Sequence, residues 1–168
     1  MKIVLIGFMG TGKSSLGRLL AEELGYQFID TDQIIEERQQ RSIAEIFRSD
    51  GEAGFRKLEA ELAQELRMAD RLIVATGGGF PLNPENIRAV RDNGIVIALT
   101  ATPEAIYQRV VREQHRPLLV EGDPLERITA LLEARNGIYQ NSDLTIDTTG
   151  KSLTEMATAI IVELRKRG

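Results

Sequence analysis

The octet Gly7-Phe8-Met9-Gly10-Thr11-Gly12-Lys13-Ser14 joins glycines that permit a tight backbone turn to a lysine and a hydroxyl that follow at once. The spacing G-x-x-x-x-G-K-[ST] aims successive N–H groups at a phosphate lying at the mouth of the next helix. Lys13 then reaches the β- and γ-phosphates, and the Ser14 hydroxyl suits Mg²⁺. The apolar run Ile3-Val4-Leu5-Ile6 and the helical pattern over 13–24 supply the strand and helix that such a loop needs. A nucleoside triphosphate is the expected ligand, with Gly10, Thr11, Gly12, Lys13, Ser14 and Ser15 as its contacts.

A second set of residues points to an acceptor. Asp30 and Asp32 follow the apolar "YQFI", and the carboxyl ends of parallel strands are where ligands bind. One acid could hold Mg²⁺ and its water while the other orients and deprotonates an attacking hydroxyl; an Asp-rich helix cap is the plainer reading. On the helix near 52–69, Phe55, Leu58, Leu62 and Leu66 form an apolar stripe. Arg56 and Glu59 flank it, at about 100 and 40 degrees from its centre, so Arg56 either faces a ligand or pairs with Glu52 or Glu59. In the helix that Pro124 opens, Arg135 falls about 20 degrees from Ile128 in the stripe Leu125, Ile128, Leu132, Tyr139. A guanidinium there needs an anion: a structural partner, or a ligand carboxylate or phosphate gripped as a fork. Gly77-Gly78-Gly79 offers bare backbone to a small polyhydroxylated molecule, or is simply a tight turn. The irregular stretch at about 113–123 is placed like a lid. Its Arg116, with Arg109 just before, could swing over the phosphates on closure and stabilise the transferring group; a solvated surface arginine is the plainer reading of each. His115, the only histidine, reads as a solvated loop residue.

The elements that must position these residues alternate. Apolar segments at "KIVLI", "YQFID", "RLIVAT", "GIVIALT" and "DLTIDT" interleave with helical patterns at 13–24, around 32–48, 52–69, 84–92, 103–113, from Pro124, and 152–166. Five strands so arranged predict a three-layer α/β/α fold around a parallel sheet, in one domain spanning 1–168. Asn83-Pro84, Thr102-Pro103 and Asp123-Pro124 mark helix starts, and Ser42–Glu45 and Ser152–Glu155 read as capping boxes.

Composition narrows the partners. With 42% hydrophobic and 27% charged residues the chain is an ordinary globular one, and its lack of cysteine rules out disulfides and thiolate metal sites. A net charge of −4 argues against nucleic acid and acidic membranes, and no apolar run nears the length of a span. The first residues read as a strand rather than a leader. A cytoplasmic monomer acting on small molecules is the expectation.

Among phosphate-loop proteins, a switch GTPase is disfavoured because Asn-Lys-x-Asp is missing, and a motor ATPase because "LIVAT" runs into glycines rather than an acid. The segments "GFMGTGKSS.G", "FIDTD", "RSIAEIF..DGEAGFRKLE", "TGGG", "RPLL" and "LTIDT" stand in an order and spacing that resembles shikimate kinase over nearly the whole chain. That resemblance implies strand order 2-3-1-4-5 and transfer of the ATP γ-phosphoryl to the 3-hydroxyl of shikimate, a step toward aromatic amino acids. It implies Lys13 and Ser14 on phosphates and Mg²⁺, Asp30 near the metal, and Asp32 on the acceptor hydroxyl. It further implies that Arg56, Arg135 and Gly77-Gly78-Gly79, within a substrate-binding segment at about 32–60 and beyond, hold the acid. Arg116 becomes the lid arginine and Arg109 a neighbour of adenine. The rival readings are a gluconate-type kinase, a nucleoside monophosphate kinase, suggested by "GFP" but lacking its flanking aspartate and arginine, and a non-catalytic nucleotide-binding regulator.

Overall fold

The computed structural model describes residues 1–112 and 122–168. The chain runs β1 (Lys2–Gly7), α1 (Lys13–Leu24), β2 (Gln27–Asp30), α2 (Thr31–Gln39), α3 (Ile43–Glu65), β3 (Leu72–Ala75), a short 3₁₀ turn (Phe80–Leu82) and α4 (Pro84–Arg91). It continues as β4 (Gly94–Thr100), α5 (Pro103–Val110), α6 (Pro124–Tyr139), β5 (Leu144–Asp147) and α7 (Leu153–Arg167). All five strands are parallel in the order β2-β3-β1-β4-β5, with Ile3 opposite both Ile73 and Ile95.

Side chains leave a strand alternately up and down, and the central strand shows it. Ile3 and Leu5 join a cluster with Leu16, Leu20, Met156 and Ile160 of α1 and α7. Val4 and Ile6 face Phe55, Leu62, Ile87 and Ile128 on the other side. Ile3 through Ile6 are fully buried, each contributing about 1.5–3 kcal/mol by burial. These two layers clamp β1 so that the loop after it starts from a fixed point.

The helix starts follow the capping chemistry. Ser42 and Glu45 exchange capping-box bonds at 3.1 and 3.0 Å, and Ser152 and Glu155 do so at 3.1 and 2.7 Å. Asn83, Thr102 and Asp123 each accept from the first turn of the helix they precede. One boundary differs from the pattern-based expectation, and a second is borne out as a bend. The segment expected around 32–48 breaks at Gln40, whose φ of 51° ends α2 before the Ser42 box starts a new helix. The next expected boundary, between 48 and 52, is kept as a break in helical geometry at Gly51 (φ 73°, ψ 174°), a conformation other residues rarely adopt, although α3 is continuous in name across it. Helix α6 stays helical through Gly137, so Arg135 and Tyr139 lie one turn apart on it.

Candidate functional site

The helices α2 to α7 each begin with a side-chain cap, whereas α1 begins at Gly12 with none. The leading N–H groups of α1, at its positive end, are therefore left for an anion. Gly12 sits at φ 89°, and a Cβ on Gly7 (φ 150°) would strike Leu99 O at 2.5 Å, so the turn needs glycine at both. Thr11 is turned inward: its buried hydroxyl donates to Phe8 O at 2.7 Å and braces the loop instead of facing the cleft. Lys13 lies along the loop, Nζ donating to Gly7 O at 2.6 Å and Phe8 O at 2.8 Å. Ser15, on the exposed side of α1, lines the same cleft as Lys13, Ser14, Asp30 and Asp32.

Asp30 is a helix cap, and its second oxygen is turned to the phosphate loop. Its Oδ1 caps α2, accepting from Asp32 N at 2.9 Å and Gln33 N at 3.2 Å, while its Oδ2 accepts from Ser14 Oγ at 2.8 Å. A hydroxyl and a carboxylate oxygen so close form a hard-oxygen pair of the kind Mg²⁺ takes, the remaining positions going to phosphate and water. No group of three or more His, Cys, Asp or Glu side chains that could hold a metal occurs among the described residues.

Each glycine of the triad is faced by one of the three side chains expected on the acceptor. A Cβ on Gly77 would lie 2.4 Å from Asp32 Oδ1, one on Gly79 would lie 2.4 Å from Arg56 Nη2, and one on Gly78 would lie 3.6 Å from Arg135 Nη1. Gly77 and Gly79 thus make room for an acid and a guanidinium to lie on the backbone, a stronger reason for glycine than a tight turn. Gly77 departs from the expectation in one respect: its N–H is taken by Thr31 Oγ1 at 3.0 Å, so it does not offer that donor to a ligand. Arg135 also stands over the Phe8 ring at 6.0 Å, within reach of a cation–π contact. Asp32, Arg56 and Arg135, from α2, α3 and α6, therefore meet beside the phosphate loop.

Glu59 matters more than its place beside the apolar stripe suggested. It is fully buried, Arg56 Nη1 donates to its Oε1 at 2.6 Å, and its Oε2 is buried without a hydrogen-bond partner. Burial pushes the Glu59 carboxyl up to about 7 and Asp32 adds to the rise, while Arg56 and Arg135 pull it down. Arg56 also reaches Glu52 at 3.2 Å, so the intrahelical pairing foreseen for it is present alongside its contact with Gly79. Arg109 joins α5 to the phosphate loop and to the turn after β5, donating to Gly10 O at 2.9 Å and to Thr148 Oγ1 and O at 3.0 Å each. Arg116 and His115 lie outside the described residues, as does nearly all of the expected lid.

A sequence model of the shikimate kinase family matches residues 9–165. The shikimate kinase of Pelotomaculum thermopropionicum is 48% identical over 164 residues, 98% of this chain and 95% of that protein. Among solved structures, shikimate kinase from Acinetobacter baumannii in complex with shikimate superimposes with a TM-score of 0.92 at 35% identity, covering 99% of this chain and 93% of that one. The Aquifex aeolicus shikimate kinase gives 0.85 at 35% identity, with 99% and 98% covered.

Proposed function

Because this chain belongs to the shikimate kinase family, we propose that its cleft transfers the γ-phosphoryl group of ATP to the 3-hydroxyl of shikimate, giving shikimate 3-phosphate and ADP on the way to aromatic amino acids. The observation that carries this reading is the meeting of Asp32, Arg56 and Arg135 on three consecutive glycines next to the uncapped start of α1. One anion sits on the main-chain N–H groups, and a second anion has its own guanidinium pair. A regulator that only senses nucleotide has no use for the second.

In the proposed Michaelis complex, the Gly10–Ser15 backbone and Lys13 hold the β- and γ-phosphates, Lys13 exchanging loop carbonyls for phosphate oxygens. Ser14 and Asp30 would hold Mg²⁺, which when bound would screen the phosphate charge. Arg56 and Arg135 grip the shikimate carboxylate, and the Gly78 and Gly79 N–H groups receive its hydroxyls. Asp32 orients the 3-hydroxyl and takes its proton as that oxygen bonds to the γ-phosphorus and the bond to the ADP oxygen breaks. Arg116, brought over by a lid at about 113–123, stabilises the charge on the transferring group. Arg109 borders the adenine side, consistent with its bonds to the loop and to Thr148. The chain acts as one kinase domain, with about 32–60 as the substrate-binding segment, and as a cytoplasmic monomer. No helix among the described residues is long and apolar enough to cross a membrane.

A coupled assay of ADP release across shikimate, quinate, gluconate, AMP and CMP tests the acceptor. Turnover with shikimate is expected. Turnover with gluconate or a nucleotide and none with shikimate would replace this reading by one of its rivals.

A further inference from the structure

Gly78 is where the two halves of the site touch. A Cβ built there would lie 3.6 Å from Arg135 Nη1 on one side, and 3.7 Å from Met9 N and 3.9 Å from Gly7 O in the phosphate loop on the other. The carbonyls flanking it are held by main chain, Phe80 N donating to Gly77 O and Leu82 N to Gly79 O, both at 3.0 Å. The Gly78 carbonyl is held by a side chain instead: the Tyr139 hydroxyl donates to it at 2.7 Å, from 61 positions further along the chain.

That bond fixes more than a carbonyl. In a trans peptide the C=O and the following N–H point opposite ways, so holding Gly78 O also sets the direction of Gly79 N–H. With glycine on both sides, this peptide has unusual freedom to flip unless something anchors it. Tyr139 is only 6% exposed, so its hydroxyl has little water to bond to in place of the carbonyl. It also stands four residues after Arg135, on the same face of α6. Burial raises the phenol above its ordinary range, and Arg135, by charge and hydrogen bonding, works against that rise. One turn of α6 thus presents a guanidinium and a hydroxyl to the same glycine.

We propose that Tyr139 is a positioning residue for the acceptor: by holding the Gly78 carbonyl, its hydroxyl sets the Gly78–Gly79 peptide and the neighbouring Arg135 guanidinium in the arrangement that receives the acid. The proposal rests on the acceptor site assigned above. Tyr139→Phe removes the hydroxyl and keeps the ring. The KM for shikimate should rise about tenfold, the scale of one lost buried hydrogen bond, with kcat at saturation and the KM for ATP within about twofold of the parent. 3-Fluorotyrosine at position 139 keeps shape and donor, and should restore the parent KM at neutral pH. Its more acidic phenol, facing Arg135 of α6 and Arg56 of α3, should make the shikimate KM climb at a lower pH than in the parent. A lowered melting temperature with an unchanged shikimate KM, or an analogue whose pH profile matches the parent's, would overturn the proposal while leaving the acceptor assignment intact. A parent enzyme that does not use shikimate at all would overturn both.

Discussion

Lys2 opens β1 and Lys13 opens α1, and each donates to two main-chain carbonyls, yet they have opposite consequences. Lys2 is fully buried at the amino end of the sheet, its Nζ bonded to Arg67 O at 2.8 Å and to Asp92 O. Those carbonyls lie just beyond the ends of α3 and α4, where helix dipoles favour a cation. Burial pushes the Lys2 pKa down, while Asp92 and Asp70 pull it back up. Lys13 is half-buried on the wall of the cleft, and its carbonyl partners belong to the loop that a phosphate would occupy. Bond counts do not separate a structural from a functional lysine. What separates them is whether a ligand can replace the partners.

Replacing each lysine by methionine sets the two ends of the sheet against each other. Lys13→Met should lower kcat/KM by about 10²–10³-fold, the scale of one lost electrostatic contact to a transition state, with little change in urea unfolding. An active Lys13→Met enzyme would break the comparison.

Glu59 sharpens it, because its buried carboxyl beside the acceptor pocket titrates within the pH range where the enzyme can be studied. Its carboxyl is raised to about 7 in the folded protein, against an ordinary value near 4.5. The stability this carboxyl contributes is therefore fully present below about pH 4.5 and is lost as pH rises through about 7. Glu59→Gln cannot titrate. The parent's stability relative to this variant should fall between pH 4.5 and 8 by roughly 3 kcal/mol, as read by urea unfolding at each pH. A difference that stays flat with pH would show that burial does not control this group. The smallest effect is expected at the amino end: Lys2→Met should cost about 1 kcal/mol of stability by removing the donor to two part-buried carbonyls, with kcat of the folded enzyme unchanged.

The same contrast explains what could be read from the amino-acid order. The strands, their helices and the phosphate loop are written in local pattern: short apolar runs between helical ones, prolines after capping residues, glycines at fixed offsets. Asp30 and Asp32 were legible as candidates from their place at the carboxyl end of a strand, and Arg135 because a guanidinium in an apolar stripe is costly unless an anion meets it. Glu59 and Tyr139 were not, since a carboxylate near a helix stripe and an aromatic within one look like ordinary packing. Their work is set by contacts across the fold, Glu59 with Asp32 and Arg135, and Tyr139 with Gly78. Thr31 is a third case, a buried hydroxyl that takes the Gly77 N–H and so narrows which glycines can greet a ligand. The bend at Gly51 falls in the gap between the helical patterns at 32–48 and 52–69 and so was legible, whereas the stop at Gln40, inside the first of them, was not.

The proposed transfer requires one carboxylate, Asp32, to stand between a held triphosphate and a held acid. Asp32→Asn, titrated separately with ATP and with shikimate and then assayed for ADP release, tests it most directly. Turnover should drop by at least about 10²-fold while the Kd for ATP stays within about twofold of the parent. An asparagine enzyme that turns over at the parental rate would contradict the claim.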